Sequence, residues 1–172
     1  MPVFSTAGST LYIGGPLNAP NKGDMAVADF ASQNALWKEI IPIENLGRAG
    51  DVSEEITFTA INGNNPGEQP RVRKMKGAKN AGNMEVIIGI DYEDEGQIAL
   101  LAAEKSSRSF AFKMVFNDAP ATGTAPAPSQ RLFVAYVMSA AEQLDEANNV
   151  MKLNASLSID SNIVRVNATS GD

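Results

Sequence analysis

The strongest constraint in this sequence is a two-residue hydrophobic period that recurs through its second half. Met84, Val86, Ile88 and Ile90 alternate with Glu85, Ile87 and Gly89, and Phe110, Phe112, Met114 and Phe116 alternate with Ala111, Lys113 and Val115. Met151, Leu153, Ala155, Leu157 and Ile159 oppose Lys152, Asn154, Ser156 and Ser158, and residues 163–166 continue the pattern. Successive side chains on a strand point to opposite faces, so this period demands strands with one buried face. Leu132, Val134, Tyr136 and Met138 alternate with Phe133, Ala135 and Val137, which makes that strand apolar on both faces. Its second face needs cover. A neighbouring subunit is one source; a flanking helix and second sheet of the same chain are the other, and the sequence leaves both open.

One segment breaks the alternation. Asp94 stands three residues before Gln97, a capping-box pair that predicts a helix over 94–105. Ile98, Leu101, Ala102 and Lys105 fall on one of its faces, the face expected to cover a sheet. The first half is less regular. Leu11 and Ile13 make a short strand-like pair, residues 14–24 collect turn formers, and 25–36 carry a short-helix pattern. Residues 1–35 are therefore expected to form an extended N-terminal arm, and 36–172 a single domain. Trp37, Glu39, Ile41 and Ile43 alternate with Lys38, Ile40, Pro42 and Glu44, with Pro42 marking an edge or strand end. Ile56, Phe58 and Ala60 alternate with Thr57 and Thr59, after which residues 62–83 show no core pattern. A loop of that length is usually functional or disordered. Seven or eight strands and one helix predict a mainly β fold, a β-sandwich or barrel with one flanking α-helix.

The chain has no cysteine and no histidine among its 172 residues. That excludes disulfides, a thiolate nucleophile, an imidazole base and zinc held by Cys or His. The remaining polar residues form no catalytic signature, so no enzyme, metal or cofactor is expected. Asp91-Tyr92-Glu93-Asp94-Glu95 lacks the D-x-[DN]-x-[DN]-G order of a calcium loop, and capping and the helix dipole explain its acids. Neither Gly14-Gly15 nor the glycines at 63 and 67 lead into a GK[ST] phosphate loop. The longest apolar run, residues 98–103, is far short of the ~20 residues that cross a bilayer. No basic region precedes Lys22, so a secretory signal is not expected, and synthesis in the cytoplasm is.

The formal charge of −6 disfavours tight duplex binding, because phosphate contact needs clustered cations. The charge is also unevenly distributed. Arg71, Arg73, Lys74, Lys76 and Lys79 form a basic run, and Asp91, Glu93, Asp94 and Glu95 an acidic one. Opposite patches on one chain suit head-to-tail contact between copies, while local pairing in a solvated loop is the plainer alternative.

The order of features resembles the major tail tube protein of bacteriophages with long non-contractile tails (siphophages) and of related gene transfer agents. The resemblance rests on Met1-Pro2-Val3, Gly8-Ser9-Thr10-Leu11-Tyr12-Ile13, Lys79-Asn80-Ala81-Gly82 and Glu95-Gly96-Gln97-Ile98-Ala99-Leu100-Leu101-Ala102. Phe112-Lys113-Met114-Val115-Phe116, Phe133-Val134-Ala135-Tyr136-Val137-Met138-Ser139 and Val164-Arg165-Val166 extend it over essentially the whole chain. It implies a structural virion protein that self-assembles as stacked hexameric rings into a hollow tube, through which DNA passes without specific binding. Implied partners are further copies of itself and the tape measure, tail terminator and tail-tip proteins, with no membrane; the place is the virion tail, after synthesis in host bacterial cytoplasm. With that resemblance, Glu68, Arg71, Arg73, Lys74, Lys76 and Lys79 are expected at an inter-subunit contact. Glu39, Glu85 and Asp91 are expected to face a negative lumen, and Lys113 to face outward or pair with an acid. The alternatives are an inner-tube subunit of a contractile tail or secretion machine, and a monomeric β-sandwich binding module.

Overall fold

The computed structural model describes residues 3–59 and 71–171. In chain order its strands are β1 (Thr10–Pro16), β2 (Lys38–Glu39), β3 (Ile43–Asn45), β4 (Val52–Thr59), β5 (Val72–Asn80), β6 (Asn83–Gly89), β7 (Phe110–Val115), β8 (Gln130–Gln143), β9 (Lys152–Ile159) and β10 (Val164–Val166). The helix α1 (Glu95–Glu104) lies between β6 and β7, and a 3-10 helix spans Val27–Gln33. Eight strands form one antiparallel sheet in the order β2-β1-β7-β8-β9-β6-β3, with β10 paired to β8; β4 and β5 form a separate ribbon. The two ends of that order, β2 and β3, are joined in the chain by residues 40–42 alone. The sheet must therefore curl until its edges approach each other, which encloses one face as a barrel interior.

That interior takes the inward residues of the two-residue period. Met84, Val86 and Ile88 of β6 face Leu153, Ala155 and Leu157 of β9 at adjacent register positions, all buried. Phe112 of β7 stands opposite Phe133 of β8 with the rings stacked at 5.8 Å between centroids. Burial of such a ring contributes roughly 1.5–3 kcal/mol.

The chain itself supplies the second cover of β8. Phe133, Ala135 and Val137 point inward, while Leu132 and Val134 pack outward against Met25, Phe30 and Val164. The N-terminal segment is thus part of the folded unit. β1 sits between β2 and β7. The side-chain Oδ1 of Asn162 accepts from the Met25 N–H at 2.6 Å, and its Nδ2 donates to the Met25 carbonyl at 3.0 Å. A boundary at residue 35 has no counterpart in the structure. The strand signal in β1 is weak because Gly14 and Gly15 carry no side chains; a Cβ on Gly14 would lie 2.7 Å from Gln33 Oε1 and 3.1 Å from the Trp37 ring.

The helix also differs from expectation. Asp94 caps it by accepting from the Gln97 N–H at 2.8 Å. The Gln97 side chain does not complete the box; it turns inward and is buried. Its Nε2 donates to the carbonyls of Ile41 at 2.7 Å and Gly89 at 2.8 Å, and its Oε1 accepts from the Asp91 N–H at 3.1 Å. One amide thereby ties the segment after β2 to the end of β6, across the closure of the barrel. Gly96 makes this approach possible, since a Cβ there would lie 2.0 Å from the Glu39 carbonyl oxygen. The buried face is consequently Gly96, Gln97, Leu100 and Ala103, and Ile98, Ala102 and Lys105 are exposed.

Gln97→Leu keeps the volume and leaves two carbonyls and one N–H without partners. It is expected to lower the unfolding free energy by about 3 kcal/mol, read as a reduced urea midpoint with an unchanged slope. A variant within about 0.5 kcal/mol of the parent would show that closure does not depend on this amide.

Candidate assembly surfaces

Three surfaces among the described residues bear on assembly. The first is the β4–β5 ribbon. The segment expected to be a structureless loop contains β5, whose Arg/Lys-rich sequence carries little hydrophobic contrast between faces. Register places Ile56 opposite Met75, Phe58 opposite Arg73, Thr57 opposite Lys74 and Glu55 opposite Lys76. Ile56, Phe58 and Met75 thus share one face with Arg73, and they are 47%, 57% and 58% exposed. Lys74 and Lys76 lie on the other face, where Lys74 pairs with Glu55 at 3.0 Å. Lys79 sits at the ribbon's base, beside Asp51 and Asp160 around a shared cleft. Arg71 immediately precedes β5 and is exposed. The five cations are therefore split between two faces and the base, and Glu68 lies outside the described residues. An isolated two-stranded ribbon is at best marginally stable in water.

The second surface is the outer face of β8, β9 and β6. Glu85 stands opposite Ser156, and Ser156 stands opposite Ser139. The Ser156 hydroxyl donates to Glu85 Oε1 at 2.6 Å, and Asn154 Nδ2 donates to Gln143 Oε1 at 2.7 Å. Lys152 at its end is neutralised by Glu44 at 2.8 Å. The result is a mainly polar face, shared by Ile87 and Ala141, with Glu85 exposed on it. The other two acids are elsewhere. Glu39 is on β2, at the opposite end of the sheet order, and faces the Tyr12 side. Asp91 lies in the turn before α1, where its Oδ1 accepts from the Glu93 N–H at 2.9 Å. The structure does not gather the three.

The third surface surrounds the start of α1. Ile98 and Tyr92 are 52% and 68% exposed beside a crevice of about 100 Å³ lined also by Ile90, Leu101, Leu153, Asp91 and Glu142. Sequence periodicity misassigned this face because α1 is apolar on nearly every side, so the buried stripe is not unique.

Lys113 faces outward but meets aromatic rings in place of an acid, with Nζ 4.6 Å from the Tyr12 centroid and 4.9 Å from that of Trp37. Burial holds its pKa below the ordinary lysine value. Burial likewise lowers Arg131, whose guanidinium lies 4.8 Å from the Phe116 ring and donates to the Val166 carbonyl. Hydrogen bonds from Ser129 hold the Asp118 carboxyl below its usual range. Lys22 is raised, chiefly by its 2.6 Å bond to Asp160, which fastens the N-terminal segment near the ribbon's base.

No protein-family model matches the chain, and no curated protein matches it. Solved structures do. A chain in the sheath/tube terminator of the PVC extracellular contractile injection system has a TM-score of 0.61 at 11% identity, covering 96% of this chain and 97% of that one. A chain in the anti-feeding prophage baseplate has a TM-score of 0.58 at 11% identity, covering 97% and 98%. The SPP1 tail tube, solved by solid-state NMR and cryo-EM, has a TM-score of 0.55 at 14% identity, covering 99% and 80%. The fold is that of tail tube proteins.

The Lys22–Asp160 bond has a defined pH signature. A lysine raised in the folded state contributes stability that is full below its unfolded value of 10.5 and is lost as pH climbs through the folded value. Lys113 works with the opposite sign, since deprotonation relieves a buried charge. Urea midpoints above pH 10.5 are expected to fall less steeply in Lys22→Met than in the parent; parallel slopes would refute the pairing.

Proposed function

We propose that this chain is a structural tube subunit. Copies assemble as hexameric rings that stack into the hollow tail tube of a long non-contractile phage tail, and DNA passes through it during delivery. The observation that carries this reading is a ribbon with a bare apolar face, Ile56, Phe58 and Met75, on a barrel that has its own core. Exposed apolar area of that kind marks a surface meant for a partner. The likeness to tube-system chains over nearly the whole length supports a second copy as that partner. The basic segment 71–79 makes the inter-subunit contact, and the N-terminal residues ahead of β1 are placed to reach a neighbour. The virion tail is then its location, with tape measure, terminator and tip proteins at its ends, and chemistry plays no part.

The polar face of β8, β9 and β6 is assigned to the lumen, with Glu85 as its acid. Serine and asparagine offer a sliding duplex no fixed charge to bind, and a ring of carboxylates repels phosphate. A second reading is the inner tube of a contractile tail or secretion machine. It is favoured by the fuller coverage of the PVC chain, 97% against 80% for the SPP1 chain. A sheath protein encoded alongside would select it.

Negative-stain microscopy of the purified protein at rising concentration is expected to show rings with a central hole and tubes. A monomer at every concentration, even with a tail-tip initiator complex added, would overturn the reading. Ile56→Ser combined with Phe58→Ser is expected to abolish tubes while changing monomer stability by less than about 0.5 kcal/mol. Glu85→Lys tubes are expected to retain DNA fragments at low salt where parent tubes release them; equal release would remove Glu85 from the lumen.

A further inference from the structure

We infer that the apolar face of the β4–β5 ribbon docks on the crevice at the start of α1 of a second copy, in a head-to-tail contact. This rests on the tube reading and names the receiving surface, which that reading leaves open. Among the described residues, the ribbon and the crevice each group large apolar side chains that stand about half exposed: Ile56, Phe58 and Met75 on one, Tyr92 and Ile98 on the other. Since both are exposed in one subunit, neither covers the other within a chain.

Their charges are complementary. Arg73 shares the ribbon's apolar face, and Lys74 and Lys76 edge it from behind. Asp91 and Glu142 line the crevice, and Glu93 and Glu95 are exposed nearby in the sequence, in the turn before α1 and at its first residue. The Glu95 carboxylate reaches Lys38 at 3.6 Å, but this is an exposed pair, which is worth little. A ribbon-to-ribbon contact would set Arg73 against cations, and a helix-to-helix contact would set acid against acid. Of these pairings, the crossed one places opposite charges around matched apolar centres.

Geometry makes that crossing extend. The ribbon enters β6 at Asn83, and the crevice begins just past Gly89 at the other end of the same strand. The base of the ribbon and the crevice are therefore about seven residues apart, roughly 20 Å, at opposite ends of one strand. A contact between unlike surfaces at opposite ends propagates from copy to copy.

Because the native chain has no cysteine, an engineered pair reports without background. Met75→Cys and Ile98→Cys combined in one chain, assembled and treated with a short bismaleimide, is expected to give a ladder of multimers on a denaturing gel. Either substitution alone is expected to give no ladder. Both sites are half exposed, and urea midpoints check that the variants fold. Separately, Arg73→Glu is expected to raise the concentration needed for assembly about tenfold, and Glu142→Arg to restore it. Tubes without a ladder and without charge-swap rescue would overturn this contact and leave the tube reading standing. A ladder without tubes would support the contact and overturn the tube reading. Neither ladder nor tubes would overturn both.

Discussion

The barrel depends on one buried amide. A sheet whose terminal strands are two and three residues long has few ladder bonds with which to close itself. Gln97 compensates by spanning the gap, with one nitrogen serving carbonyls from both sides and its oxygen holding the turn that leads into α1. A fully satisfied buried amide is specific as well as stabilising, because any shift of the helix strands three polar groups at once. Gly96 belongs to the same device, since the helix can approach the Glu39 carbonyl only without a Cβ. Closure in turn fixes where α1 sits, and so which of its sides faces outward.

Much of this was legible in the sequence, and the failures have a common cause. β6, β7, β8 and β9 are readable because each separates an apolar face from a polar one or is apolar throughout, and the interior selects for that. β5 was not readable, because both its faces are exposed and neither is chosen by burial. β1 was legible only as the pair Leu11 and Ile13, because Gly14 and Gly15 replace the signal beyond them with close contact to Gln33 and Trp37. The orientation of α1 was misjudged because Ile98 and Ala102 are as apolar as the residues that are buried. At the candidate surfaces, the basic run was visible as charge, but its division between two faces of a ribbon needed the register with β4.

Hydrophobic patterning identifies burial; it does not say in which chain the burial occurs. β8 is the instructive case. Its two apolar faces left a neighbouring subunit and the same chain both open as cover, and Met25 and Phe30 from the same chain cover Leu132 and Val134. Of the surfaces that do lack cover, the ribbon was half strand (Ile56 and Phe58) and half polar loop in the sequence pattern, and Ile98 at the start of α1 belonged to a sheet-facing stripe. Exposure in the folded chain is therefore the sharper criterion, because it subtracts what the chain buries for itself.

That subtraction also bears on the order of events. The barrel has its own core, second cover and closing amide, so it can fold before any contact with another copy. The β4–β5 ribbon has no such support, and two strands alone do not order reliably in water. The entropic cost of ordering it falls on whichever step buries Ile56, Phe58 and Met75. Under the proposed contact, a subunit built this way fixes its ribbon most firmly when a neighbour presents a matching surface. The acidic balance assists this, since like-charged bodies approach productively only where the cations of one meet the carboxylates of the next. On the proposed contact, growth at an existing end is easier than a fresh start, because a formed end already presents one fixed surface to each arriving ribbon.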